Sequence, residues 1–386
     1  MSFIKKFIAK PSSRQFTTLE RRAGGETVPF YFRATVVLIG ISVFFYCMQL
    51  LRDVLIPVAF ATLIAILLNP IVNRLMKWKI PKVLAIILAL LLTVLIFAVI
   101  ILFISSQVAQ FTELAPQLKT KSTEILQIIQ QWLKQTFNWP ISKQDAALKN
   151  AMNSSQEFIG QTIGGLFGII GVMVLLPIYT FLILYYKPLF LNFFYEVFDD
   201  KHEKKVADVL SETKGAVQSY IVGLLTETLI VASLNSIALL IIGVKYAILL
   251  GVIGGLLNMI PYIGGLIAIA LPVIMSILTG DSYTTALIII VAYIVIQFID
   301  NNVLVPNIVA SKVDVNAFVA IIIVILGGTL WGVSGMFLSV PFVAVCKIIF
   351  DRVPDLKPWG KLLGAKIEEP PNLPTAPSVA EEQHKE

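Results

Sequence analysis

The chain has 386 residues, 57% hydrophobic and only 14% charged, with a mean hydropathy of +0.85. Soluble domains carry about a quarter charged residues. Here several apolar runs exceed eighteen residues, which excludes a soluble globular domain and specifies a polytopic, all-α membrane protein; the runs are continuous rather than alternating, which excludes a β-barrel.

Residues 1–33 form a basic segment. Phe3, Ile4, Phe7 and Ile8 can share a face opposite Lys5, Lys6 and Lys10, which suits a membrane-surface helix as well as it suits a disordered tail. No apolar run precedes Ala34 and no cleavage site is apparent, so a signal peptide is not expected. Residues 34–104 hold three predicted spans, Ala34–Leu51, Val54–Val72 and Val83–Ile104. The second closes near Asn69-Pro70, and Pro81 is placed to start the third helix. Residues 105–159 are polar, with Ile125, Ile128, Ile129, Trp132 and Leu133 at helical spacing and Ala147, Leu148, Ala151 and Met152 repeating the pattern; a small helical extracytoplasmic domain is expected.

Residues 160–186 contain the fourth span, from Ile163 to Tyr186. Gly160, Gly164 and Gly168 form a small-xxx-small stripe for close packing against a helix of this chain or of another subunit. Residues 187–219 are charged and amphipathic, and Ile221–Gly243 is the fifth span. Residues 220–352 make the expected transport core. Residues 353–386 are proline-rich and are expected to be a disordered cytoplasmic tail.

Charge orients these elements. Seven basic residues precede the first span, which places the N-terminus in the cytoplasm by the positive-inside rule. Alternation then puts Arg74–Lys82 and the five lysines of 187–219 inside, with 105–159 outside. Lys347, Arg352, Lys357 and Lys361 put the C-terminus inside as well. Net charge +6 is thus consumed by topology, and no nucleic-acid partner is implied.

Two apolar segments are the wrong length for simple spans. Tyr246–Leu278 has 33 residues, about 50 Å as a straight helix against a hydrocarbon core of about 30 Å, and is interrupted by "GGLLNMIPYIGG". After the plain span Tyr283–Ile299 comes Ala317–Phe350, interrupted by "GGTLWGVSG". A shift of 69 residues lays Pro272 on Pro341 and Tyr262 on Trp331. Span plus broken segment therefore occurs twice, and if the breaks are re-entrant hairpins the two units form an inverted repeat. The fold expected is about six full transmembrane helices plus two broken helical hairpins, eight hydrophobic segments in all. Paired Gly/Pro-interrupted segments point to a transporter binding site; two kinked long helices are the alternative.

Glu227 lies about two turns into the fifth span, where a carboxylate is costly and marks function by default; a span that begins deeper would instead put it at the headgroups and leave only fifteen apolar residues to Gly243. Asn235 follows on the same face. Gln297, Asp300, Asn301 and Asn302 close the seventh segment, and Pro306 is expected to keep the following residues from continuing that helix. Asn258, Pro261 and Tyr262 sit at the first break and Trp331 at the second, with Gly254, Gly255, Gly264, Gly265, Gly327, Gly328, Gly332 and Gly335 permitting close approach and unusual φ. Half-helix ends at such breaks offer partial charges to a polar solute. No phosphate-binding loop and no nucleophile–base constellation is present, and the two histidines and two cysteines form no cluster, so neither an enzyme, nor a cofactor, nor a metal site is expected.

Four stretches carry a family resemblance: "SYIVGLLTETLIVASLN", "NMIPYIGG", "QFIDNNVLVPNIVASK" and "GGTLWGVSGMFLSVPFVAV". With "ILLNPIV" closing the second span, they make residues 34–352 resemble the AI-2E family of bacterial membrane transporters. The family pattern falls on Tyr220 and Gly223, Ile260–Gly264, Asp300 with Pro306, and Gly328–Pro341. Leu224 replaces a common Gln, and Ala317 a common Pro. The resemblance implies a multi-pass, oligomeric protein of the bacterial inner membrane. It implies export of a small polar solute such as autoinducer-2, or cation/proton antiport, in which Glu227 and Asp300 would alternate between protons and monovalent cations. A non-transporting scaffold is a third reading. A cavity lined by neutral groups would favour the exporter; a buried, paired carboxylate would favour the antiporter.

Overall fold

The computed structural model describes residues 29–112, 115–146, 149, 175–198, 203–260, 264–279, 282–309 and 315–365. Gly160, Gly164, Gly168, Pro261, Tyr262 and the helical pattern at 147–152, Lys149 apart, lie outside the described residues. The described chain is helical and divides into two compact units, Met1–Arg52 and Asp53–Glu386. The first contributes α1 (Phe30–Leu50), in which Thr35 Oγ1 donates to the Tyr31 carbonyl at 2.8 Å and so needs no partner outside its own helix.

The second unit holds α2 (Arg52–Lys77) from Asp53 on, α3 (Lys82–Thr112), α4 (Ala115–Phe137), α5 (Leu175–Tyr185), α6 (Lys187–Val197), α7 (Glu203–Ile242), α8 (Ala247–Asn258), α9 (Gly264–Leu278), α10 (Tyr283–Ile299), α11 (Ala317–Arg352) and α12 (Lys357–Leu363). Among the described residues six helical stretches are long and apolar enough to cross a membrane, or seven if α5 and α6, bent by 59°, are counted as one span.

α2, α3 and α5 pack through small side chains. Ala65, Ala85 and Ala89 are buried with Leu68, Val72, Ile86 and Leu184, and the Thr180 hydroxyl faces the Ala61 carbonyl at 3.5 Å. α2 does not stop near Pro70 but continues to Lys77. A proline is tolerated inside such a helix when neighbouring helices support the freed backbone, and the continuation places Arg74 and Lys77 in the last turn, where cations suit the helix dipole.

α7 is the central element. Its 40 residues extend about 60 Å, so the expected boundary near Ser219 falls inside one helix. A continuous stripe explains this: Val217, Tyr220, Leu224, Glu227, Val231, Asn235 and Leu239 are all buried at spacings of three or four. Leu63, Ile66 and Leu67 of α2, Met259 after α8, and Phe337, Val340 and Val345 of α11 pack against its middle.

After α7 the chain reverses at Gly243 (φ +84°) and Tyr246 (φ +59°), and α8 runs back along it. Two glycines allow the contact. A Cβ at Gly255 would lie 2.5 Å from the Ala232 Cβ, and one at Gly251 would lie 2.5 Å from the Ser236 backbone nitrogen. α8 then pairs antiparallel with α9: Gly264 abuts the Leu257 carbonyl, Gly254 faces Ala268, and Ala247, Leu250, Ala268 and Met275 share one core with Leu239, Ile289 and Tyr293. The first break is a helical hairpin.

So is the second. α11 has non-helical torsions at Trp331 (φ −134°, ψ 19°) and Gly332 (φ +61°, ψ −141°). Ile323 and Ser339 are 16 residues apart, about 24 Å along a straight helix. Yet the Ser339 hydroxyl reaches the Ile323 carbonyl at 2.9 Å and the Gly335 carbonyl at 2.6 Å. The limbs of α11 are therefore folded together, with Gly327 against Gly335 and Gly328 against Met336.

One expectation fails at Pro306. The chain does not leave the helix after Asp300 but widens into a π-helix over Asp300–Val309 that includes Pro306. The wider coil displaces the carbonyl that the proline ring would otherwise strike. Asn302 and Asn307 help to close it, each donating from Nδ2 to the carbonyl four residues back, Phe298 at 2.8 Å and Val303 at 2.7 Å.

Candidate functional site

The site forms where the end of α8 meets the middle of α7 and the end of α10. Glu227 faces inward because it continues the buried stripe of α7, and it is 5% exposed. Asp300 is 1% exposed at the junction of α10 with the π-helix. π-helical turns are frequent at functional sites.

Asn258 joins the two. Its Nδ2 donates to Glu227 Oε1 at 3.2 Å and to Asp300 Oδ2 at 2.9 Å. Gln297 Nε2 adds a longer contact to Asp300 Oδ2 at 3.3 Å. Gly265 makes room for Gln297: a Cβ there would lie 2.8 Å from Gln297 Oε1. Two carboxylates from elements far apart in sequence thus share one amide at the tip of a hairpin. Among the described residues, no lysine or arginine forms an ion pair with either. Amide donors alone do not neutralise two buried charges; the pair needs a proton or a cation as counter-charge.

One turn along α8 is a second polar layer. The space a Gly254 side chain would occupy is bounded by Asn235 Nδ2 at 3.1 Å and Tyr293 Oη at 3.6 Å. Asn235 Oδ1, Tyr293 Oη and Asp300 Oδ1 are buried without a protein hydrogen-bond partner. Such atoms are rare in native interiors and call for an occupant. Tyr293 was not singled out from the sequence. Its signal was a hydroxyl in an apolar helix seven residues, two turns, before Asp300.

The remaining sequence candidates divide. Glu227, Asn258, Gln297 and Asp300 converge, with Gly264 and Gly265 supporting the hairpin. Asn301, Asn302 and Pro306 are exposed. Trp331 and Gly332 form the turn of the second hairpin, and Gly327, Gly328 and Gly335 serve the approach of its limbs. The side chains gathered here are carboxylates and amides, and no cluster of three His, Cys, Asp or Glu residues that could hold a metal ion occurs among the described residues.

The model of the AI-2E family transporter matches residues 35–355. The chain belongs to the AI-2E transporter family. It is 27% identical over 314 residues to YueF of Bacillus subtilis (strain 168), a match covering 77% of this chain and 83% of that protein. It is 26% identical over 319 residues to the AI-2 transport protein TqsA of Escherichia coli (strain K12), covering 82% and 91% respectively. The AI-2E chain described here is accordingly a multi-pass membrane transporter and not an enzyme. The paired carboxylates lie within its matched region.

Proposed function

We propose that this AI-2E transporter is a secondary transporter of the bacterial cytoplasmic membrane in which Glu227 and Asp300 exchange protons for a monovalent cation. The observation that carries the reading is the Asn258 amide held between two buried carboxylates. α8 is about 18 Å long, a little over half of the roughly 30 Å hydrocarbon core, so a hairpin entering beside the end of α7 delivers Asn258 to mid-membrane. The second hairpin, entering from the cytoplasmic side, completes the inverted repeat expected of alternating access.

In this mechanism the amide is the moving part. With Nδ2 toward the carboxylates, Asn258 donates to both. A cation arriving between them is met by the other face of the same group, because a half-turn of the amide presents Oδ1 as a ligand. Protons and cation then compete for one pair of carboxylates, which is the condition for exchange. Asn235 and Tyr293 offer further neutral oxygens along α8.

A second reading is export of an autoinducer-2-like polar solute, favoured by the name of TqsA and by the neutral groups Asn235, Gln297 and Tyr293 near the carboxylates. Reconstitution in liposomes separates them. Wild-type protein should exchange protons for Na⁺, and Glu227→Gln should not. Solute flux without cation exchange, unchanged by Glu227→Gln, would overturn the exchange reading.

A further inference from the structure

A second polar cluster lies away from the carboxylates, where α2, α5, α6 and α7 line an open cavity of about 360 Å³. Asn69, Lys187, Ser211 and Lys214 line it together with Ile66, Leu184 and Leu210. Lys187 follows the 59° bend between α5 and α6, and its Nζ donates to Asn69 Oδ1 at 2.9 Å. That bond fixes the amide so that Nδ2 is the unused end. Asn69 is 5% exposed, and its Nδ2 has no hydrogen-bond partner.

The positive charge of this cluster has no acidic partner among the described residues. Among the described residues neither Lys187 nor Lys214 forms an ion pair, while the acids Asp208 and Glu212 of α7 engage Arg352 at 3.6 and 2.5 Å. Lys82 is nearby, its Nζ bonded to the Tyr185 carbonyl at 2.7 Å and lying 5.2 Å from the centre of the Tyr185 ring. Burial first, then the charges of Lys214 and Lys82, hold the Lys187 ammonium below the usual lysine range. An anion seated among these groups would relieve that repulsion and accept from Asn69 Nδ2 at once.

We propose that this cavity binds the phosphate of an acidic phospholipid, with Lys187, Lys214 and Asn69 Nδ2 on the phosphate and the apolar lining against an acyl chain. The mixed lining favours a lipid over a soluble phosphate, which would leave Ile66, Leu184 and Leu210 in contact with water. So does the position: the three lysines fall on the side that the positive-inside rule assigns to the cytoplasm, and basic pockets between helices on that side are built for acidic head groups.

The test is native mass spectrometry of the purified full-length protein with phosphatidylglycerol or phosphatidylcholine. Wild type should retain phosphatidylglycerol preferentially. Lys187→Gln/Lys214→Gln should weaken it about 25-fold, from roughly fivefold for each lysine. Lys187→Arg/Lys214→Arg should keep it, and Lys204→Gln, exposed on the same helix but outside the cavity, should change nothing. If the double glutamine variant aggregates, Lys214→Gln alone, at an exposed position, should show the single-lysine loss. Equal retention of both lipids, or unaltered binding by the glutamine variants, would overturn the proposal. Complete displacement of phosphatidylglycerol by excess inorganic phosphate would overturn the lipid in favour of a soluble phosphate compound.

Discussion

Replacing Glu227 by Gln isolates charge from shape. Glutamine keeps the length of the side chain and an oxygen that can accept from Asn258 Nδ2, so the hairpin tip stays bonded. Glu227 Oε1 and Asp300 Oδ2 share that nitrogen at 3.2 and 2.9 Å, so they lie no more than 6.1 Å apart. Two like charges at that separation repel by about 3 kcal/mol at an effective dielectric constant of 20. The pair sheds this energy whenever it takes up a proton or a cation, and Glu227→Gln removes it permanently. The variant is therefore expected to be as stable as wild type, or more stable by about 3 kcal/mol where wild type holds both charges, read as an unchanged or raised melting temperature in detergent. Exchange should nonetheless fall to the level of protein-free liposomes, measured as Na⁺-driven proton movement with a pH-sensitive dye. Wild-type exchange in a folded Glu227→Gln protein would refute the reasoning, because the carboxylate would then carry neither cargo nor coupling. Lost exchange with a lowered melting temperature would assign Glu227 a structural role instead.

Three further outcomes follow from the geometry. Asn258→Leu removes donors from both carboxylates, and hydrogen bonds to charged groups are worth about 1.5–3 kcal/mol each; thermal denaturation should show a loss of several kcal/mol that Asn258→Gln partly restores. Gly332→Ala should cost about 1–3 kcal/mol through its φ of +61° alone, since nothing lies within 4 Å of the added Cβ, and a melting temperature equal to wild type would argue against this turn. In a background lacking Cys47 and Cys346, cysteines at 323 and 339 should be joined by a short bifunctional thiol reagent, as seen by electrophoretic mobility; absence of the cross-link would mean that α11 is a straight helix.

Much of the helical layout was legible because apolar length and punctuation are local properties. The continuous run from Val83, the breaks at "NMIPYIGG" and "GGTLWGVSG", and the carboxylate in "LLTETLIV" all stand out without tertiary information. Glu227, Asn258 and Asp300 could each be picked out as polar groups in apolar surroundings, but their meeting on one amide could not, since it depends on how α8 lies along α7. Two features resisted for other reasons. The helix through Ser219 reads as a charged segment followed by an apolar one, yet the buried stripe from Val217 to Leu239 ignores that change of composition. The π-helix is invisible because its determinant is hydrogen-bond register rather than residue type, and Pro306 argues locally for the opposite outcome.

The register of α8 on α7 decides whether the site exists at all. Gly251, Gly255 and Asn258 fall at spacings of four and three, so they share one face of α8. The two glycines meet Ser236 and Ala232, and the asparagine meets Glu227, in descending order along α7. A slide of one helical turn would move Asn258 by about 5.4 Å and break its bond to Glu227. Substituting Ala at Gly255 forces a Cβ to within 2.7 Å of the Ala232 Cα and 2.8 Å of its backbone nitrogen, atoms that no side-chain rotation can clear. The helices must then separate or shift. Gly255→Ala is expected to destabilise the protein by about 1–3 kcal/mol and to abolish exchange although it removes no polar group. Full exchange in this variant would show that close packing of α7 on α8 is not what places the amide between the carboxylates.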